Sequence, residues 1–168
     1  MDRQTRRLVL LGDSATQFLA KAITAGESKD DLNLDVLEAD FDQLNHQILD
    51  SDSELYRSDP QFVVLYLSVE RLWERFGATP LKGRLHFAED VVAEIQSWWK
   101  TIASRCKAKI IHLNFIEAND GIFGNFAGKV RSSFLYQVRK INFALMNMAQ
   151  EEKHVFLADL AALSAQVG

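Results

Sequence analysis

Five short apolar runs, separated by longer stretches of helical periodicity, constrain this chain more than any other feature. The runs are Leu8–Leu11, Leu34–Leu37, Phe62–Leu67, Lys109–Phe115 and His154–Ala158. Phe62-Val63-Val64-Leu65-Tyr66-Leu67 is apolar throughout, the pattern of a strand covered on both faces. Before the fourth run, Ala88, Val91, Val92, Ile95, Trp98, Trp99 and Ile102 trace one face of a long helix. Val130, Phe134, Val138, Ile141, Leu145 and Met148 do the same before the fifth. These stripes read as core, Trp98 and Trp99 included. An earlier helical pattern runs from Ala15 to Ala25 and ends near Gly26. Another starts at Asp40 or Asp42, turns Leu44, Ile48 and Leu55 inward, and is broken by Asp59-Pro60. Strands and helices that alternate in this way need right-handed crossovers. The expectation is an α/β fold, a three-layer αβα sandwich with a five-stranded parallel sheet in the flavodoxin-like order 2-1-3-4-5. A single domain accommodates all 168 residues, with a core large enough to need no metal or disulfide.

Charge and cysteine content narrow the partners. The net charge is −4, and the only basic cluster is Arg3, Arg6 and Arg7, so no nucleic-acid surface is expected. The single cysteine, Cys106, excludes an internal disulfide and Cys-based zinc sites. The acidic pairs Asp30-Asp31, Asp50/Asp52 and Glu151-Glu152 read as solvated turns and helix ends, and neither a P-loop nor a dinucleotide glycine fingerprint follows the first strand. No metal or other cofactor is expected. The N-terminal apolar run is too short for a signal peptide, and no segment reaches membrane-spanning length, which predicts a cytoplasmic chain with no membrane partner.

In an open parallel sheet, ligands bind beyond the carboxyl ends of the strands, near the switch point in strand order. Gly12–Thr16, Glu38–Asp42, Ser68–Trp73, Asn114–Gly128 and Asp159–Ser164 are the segments expected there. The first strand runs directly into Gly12-Asp13-Ser14 and then into a helical pattern. Backbone N–H groups at such a helix start can hold an anion or a developing oxyanion. Ser14 equally suits a helix cap or a ligand contact in a cleft, and Asp13 a helix cap or a bond across the turn. The Asn114–Gly128 segment carries Asn114, Asn119, Asp120, Asn125 and three glycines, which fits either a binding loop or a structured surface loop. Asn114 and Asn125 are candidate donors to an oxyanion or a ligand carboxylate, and Ser68 is a candidate ligand contact. The Asp159 carboxylate stands at a strand end, where it either orients a histidine or bonds loop backbone.

Gly12-Asp13-Ser14 resembles the first block of the SGNH (GDSL-like) hydrolases. That resemblance implies Ser14 as nucleophile and Asp159 as the late triad aspartate. The family's histidine position falls on Ala162, in Asp159-Leu160-Ala161-Ala162. Leu67-Ser68-Val69-Glu70 stands where the family has Gly-x-Asn, and its glycine block is not recognisable in Glu38-Ala39-Asp40-Phe41-Asp42. The wider pattern matches more closely. Gln43…Ile48-Leu49-Asp50…Ser53-Glu54-Leu55-Tyr56…Pro60 precedes the third run, followed later by Gly121-Ile122-Phe123-Gly124-Asn125, Ile141-Asn142…Leu145 and Val155-Phe156-Leu157-Ala158-Asp159-Leu160. This resembles the N-terminal SGNH-like domain of FkbH-like proteins, multidomain proteins with a HAD-type phosphatase-like domain further along. The resemblance implies one SGNH-hydrolase-like domain over residues 1–168, excised from a longer polypeptide. It also implies a downstream HAD-type domain as partner, and an acyl carrier protein in polyketide or polysaccharide biosynthesis.

The expected function is therefore an accessory module that binds a small acyl or glyceryl unit, a phosphorylated metabolite or a carrier-protein arm near Ser14, with little or no hydrolase activity. The alternatives are an active serine esterase or acyltransferase, and a non-catalytic docking domain. A serine near its free pKa needs an adjacent base. His154 starts strand 5 at the amino edge, His112 lies mid-strand in the core, and His46 and His86 read as surface residues nearer the carboxyl edge.

Overall fold

The computed structural model describes residues 5–26, 33–40 and 43–167. Arg3, the Asp30-Asp31 pair and Asp42 lie outside them. The strands are β1 (Thr5–Gly12), β2 (Asn33–Glu38), β3 (Phe62–Tyr66), β4 (Lys109–Leu113) and β5 (Val155–Ala158). They form one parallel sheet in the order β2-β1-β3-β4-β5, the flavodoxin-like order expected, and helices flank it. β1 pairs in parallel with both neighbours: Leu8 faces Val36 and Phe62, and Leu10 faces Glu38 and Val64. Sandwiched in this way, Leu8, Val9, Leu10 and Leu11 are buried, as are Val63, Val64 and Leu65 of β3. β2 is an outer strand of the sheet and stays partly exposed along its length.

The helices are α1 (Gln17–Gly26), α2 (Leu44–Leu49), α3 (Glu54–Arg57), α4 (Val69–Ala78), α5 (Phe87–Arg105), α6 (Phe134–Glu151) and α7 (Leu160–Val167). The α5 stripe is buried at Ala88, Val91, Ile95, Trp98, Trp99 and Ile102. Two expectations need correction. The second helical pattern is two helices, because the Ser53 hydroxyl donates to the Gln47 carbonyl (2.7 Å) and the Gln47 carboxamide oxygen accepts from the Leu55 N–H (3.0 Å). Leu55 is buried all the same, from α3. Val130 lies outside α6, since Ser133 is the N-cap and accepts from the Tyr136 N–H (3.1 Å). The Ser68–Trp73 segment, for which no helix was expected, is helical from Val69 onward.

The contacts fall into two compact units. The first comprises Met1–Tyr66, Trp98–His112 and His154–Phe156. Within it the Trp99 indole N–H donates to His112 Nδ1 (3.2 Å), and Arg105 donates to the Ile48 and Leu49 carbonyls while stacking on Tyr56. The second comprises Leu67–Ser97, Leu113–Lys153 and Leu157–Gly168. There Phe76 packs edge-on against Phe87 (5.1 Å between centroids) and tilted against Phe134 (5.4 Å). Two buried amides on α6 are fully engaged. Gln137 accepts from the Ala88 N–H and donates to the Arg131 carbonyl, and Asn142 brackets the backbone N–H and carbonyl of Phe115. Buried amides satisfied in this way hold neighbouring segments in register without the cost of an orphaned polar group. Among the described residues no helix is long and apolar enough to cross a membrane.

Candidate functional site

In the first unit the chain leaves β1 through a turn that only glycine fits. A Cβ on Gly12 would stand 2.6 Å from Thr16 Cγ2, 3.2 Å from the Ser14 carbonyl oxygen and 3.3 Å from that of Tyr66. The Asp13 N–H donates across the turn to the Tyr66 carbonyl (3.3 Å). Helix α1 starts only at Gln17. Thr16 therefore stands directly before the helix, which removes the cap alternative for Asp13 and Ser14 and leaves a bond across the turn for Asp13 and a ligand contact for Ser14. Thr16 is buried, and its hydroxyl donates to Glu38 Oε1 (2.5 Å), tying the start of α1 to the end of β2. Ser14 is left half-exposed, and among the described residues its hydroxyl has no hydrogen-bond partner. A cavity of about 210 Å³ begins at the residue that follows it, lined by Ala15, Thr16, Gln17, Glu38, Ala39 and Asp40. Its two carboxylates make it a poor host for an anion. Thr16 and Glu38 had no individual signal in the sequence, because their pairing arises only from β1 and β2 lying side by side.

The other sequence-predicted residues belong to the second unit. Ser68 is buried, and its oxygen accepts from the Arg71 N–H (3.2 Å), which caps α4. Asn114 and Asp159 form a pair: Asn114 Nδ2 donates to Asp159 Oδ1 (2.8 Å). Asn114 Oδ1 accepts from the Ala161 N–H (3.1 Å), and Asp159 Oδ1 accepts from the Ala162 N–H (3.0 Å). Together they close the N-terminus of α7. The Ala162 N–H, and after it the Asn114 amide, hold the Asp159 carboxyl below its usual range. Asp159→Ala is expected to lower stability by about 1 kcal/mol through loss of this cap, measurable as a shifted urea midpoint with unchanged slope. Asn125 is exposed in a 3₁₀ turn (Gly124–Lys129). The turn is entered through Gly121 and Gly124 at φ of +75° and +48°, which glycine adopts freely.

None of the histidines has the surroundings of a general base. His112 is fully buried, accepts from Trp99, and has its pKa pushed down to about 3 by desolvation. His46 is exposed beside Asp50 (3.6 Å). His86 is exposed near the start of α5, and His154 is half-buried immediately before β5. Among the described residues no group of three or more His, Cys, Asp or Glu side chains is arranged to hold a metal ion.

Comparison with known proteins adds a family and a fold. The sequence model described as FkbH, N-terminal domain, matches residues 7–168. No curated protein sequence matches the chain. Among solved structures, the N-terminal part of a Bacteroides fragilis protein containing a phosphatase domain, complexed with Mg, aligns over 98% of this chain with 32% identity and a TM-score of 0.89. The chain spans 43% of the length of that structure. An acetyl-xylooligosaccharide esterase from Geobacillus aligns over 99% of this chain and 82% of its own, with 12% identity and a TM-score of 0.66. An acetyl xylan esterase aligns over 93% and 78%, with 17% identity and a TM-score of 0.52. At such identities the esterases share the fold alone.

Proposed function

The chain belongs to the FkbH N-terminal domain family, and from that premise we propose that it is an SGNH-like accessory module of a multidomain biosynthetic protein. In this reading it holds a small ligand beside Ser14 and has little or no hydrolase activity. The observation that carries the reading is the state of Asp159. Its Oδ1 is committed to the Ala162 N–H and the Asn114 amide, and Ala162 occupies the position where the hydrolases carry their histidine. Without that imidazole Ser14 has no base to take its proton, and a free serine is a weak nucleophile.

The carboxylates of Glu38 and Asp40 in the cavity that begins at Ala15 favour an uncharged acyl or glyceryl unit, free or on a carrier-protein arm, over a phosphorylated metabolite. The Bacteroides fragilis neighbour, whose N-terminal part contains a phosphatase domain, supports a HAD-type domain downstream in the same polypeptide. A cytoplasmic location and a carrier protein as partner follow from this reading.

A fluorophosphonate probe is expected to leave the chain unlabelled. A short acyl thioester, butyryl-N-acetylcysteamine, is expected to raise its melting temperature, and Ser14→Ala is expected to weaken that rise. Labelling that disappears in Ser14→Ala would instead establish an active esterase or acyltransferase. Loss of every ligand effect, with the rest of the parent polypeptide binding in trans, would leave docking as the role.

A further inference from the structure

The three tryptophans divide two to one. Trp98 and Trp99 are 7% and 1% exposed, and their indole N–H groups donate to Asn45 Oδ1 (3.1 Å) and His112 Nδ1 (3.2 Å). Trp73, on α4, is 52% exposed. A large aromatic surface kept in water is unfavourable unless something covers it.

Trp73 forms one wall of a cavity of about 320 Å³, completed by Ala118, Asn119, Asp120 and Phe134 of the same unit. That size is at the lower end of small-molecule sites. Phe134 is 1% exposed and packs against Phe76, so that side of the cavity is well supported. The polar groups are held as well. Asn119 Oδ1 accepts from the Gly121 N–H (3.0 Å) and Asp120 Oδ1 from the Ile122 N–H (3.1 Å). These bonds orient both side chains and leave Asn119 Nδ2 as a donor and Asp120 Oδ2 as an acceptor for a ligand.

The lining selects by charge. Asp120 is its one ionised group, and the α4 arginines, Arg71 and Arg75, are paired with Glu74 and Glu94. An anion would meet repulsion with no lining cation to offset it. A purely aliphatic chain would cover the aromatic wall but strand the donor and acceptor without partners. We infer that this cavity binds an uncharged, hydroxyl-bearing ring of the pyranose type. Its apolar face lies on the Trp73 indole, and its hydroxyls bond Asn119 and Asp120. This inference does not rest on the reading of Ser14.

The test titrates the chain with methyl glucopyranoside, glucose 6-phosphate and hexanamide, followed by tryptophan fluorescence and by protein-observed NMR. The glucoside is expected to shift the emission. In Trp73→Phe the emission change disappears while binding seen by NMR persists, because the aromatic face remains. Trp73→Ala weakens binding about tenfold, the scale of one aromatic contact. Asp120→Asn, which can still accept from the Ile122 N–H, narrows the preference for the glucoside over glucose 6-phosphate. Preferential binding of hexanamide or of the phosphate, no response to any of the three, or glucoside binding undiminished in Trp73→Ala would each overturn the inference.

Discussion

Lowering the pH from 7 to 4 is expected to destabilise the fold steeply, with His112 the largest single contributor. In the unfolded chain this imidazole takes up a proton near pH 6.5. In the folded chain it is fully buried, accepts a hydrogen bond from Trp99, and remains neutral down to about pH 3. The unfolded state therefore binds the extra proton first, so stability is fully present above pH 6.5 and is lost as the pH falls toward 3. The loss is about 1.4 kcal/mol per pH unit. Several kcal/mol is a large share of the ~5–15 kcal/mol that holds a domain together. Glu89, held low by Lys140, and Asp159, held low by the Ala162 N–H, add their losses only further down, as their carboxylates protonate. His112→Leu separates these contributions. It leaves the Trp99 N–H without an acceptor but also removes a buried Nε2 that has no partner of its own. The two changes partly offset, for a net cost of about 1 kcal/mol at neutral pH. The variant is then expected to be less stable than the parent at pH 7 and more stable at pH 5, the curves crossing between pH 6 and 5. Urea midpoints across that range decide it, and parallel curves would rule the explanation out.

His112 also marks where sequence alone stops. Its mid-strand place in an apolar run was enough to assign it to the core, but its contact with Trp99 depends on how α5 and β4 pack. The strands were legible for a simple reason. β1 and β3 are covered on both faces, so unbroken apolar runs such as Leu8–Leu11 and Phe62–Leu67 have few other uses. Alternation and crossover handedness called for a parallel sheet, while the order 2-1-3-4-5 was expected by likeness to flavodoxin-type folds. The helix starts were harder. α4 went unread although Val69, Leu72 and Phe76 stand at helical spacing and the last two are buried, because a stripe of three positions is short and lies among charged residues. The division of α2 from α3 depends on the Gln47 and Ser53 side chains, whose hydrogen bonds have no periodicity.

The candidate site was legible by position more than by chemistry. Gly12-Asp13-Ser14 stands out because a strand must end at its carboxyl edge in a tight turn. The Asp159-Leu160-Ala161-Ala162 motif locates the missing histidine without any structure. What the residues do there required coordinates. Asn114 looked like a free donor from sequence, yet it is engaged by Asp159 and the Ala161 N–H, a pairing between positions 45 residues apart. Trp73 and the Asn119-Asp120 pair likewise meet around one cavity only because the chain after β4 folds back toward α4.

Gly12→Ala is expected to cost about 1–3 kcal/mol, the usual penalty for forcing a methyl group into filled space. The obstacle is identified atom by atom. The new Cβ would lie 2.6 Å from Thr16 Cγ2, with the Ser14 and Tyr66 carbonyl oxygens at 3.2 and 3.3 Å on its other sides. Thr16 cannot simply rotate away, because a β-branched side chain is stiff at χ1 and its hydroxyl is bound to Glu38. The Tyr66 carbonyl is fixed as well, since it accepts from Asp13 and belongs to β3. Either the Thr16–Glu38 bond breaks or the Asp13-Ser14 turn moves, and both disturb the cavity that begins at Ala15. Thr16→Ser removes the offending methyl and keeps the hydroxyl that bonds Glu38. If this contact is the cause, Thr16→Ser combined with Gly12→Ala should recover most of the lost stability, a coupling of at least about 1 kcal/mol in a double-mutant cycle. Strictly additive effects would place the strain elsewhere, in the backbone of the turn, and would make the glycine a requirement of main-chain geometry instead of side-chain space.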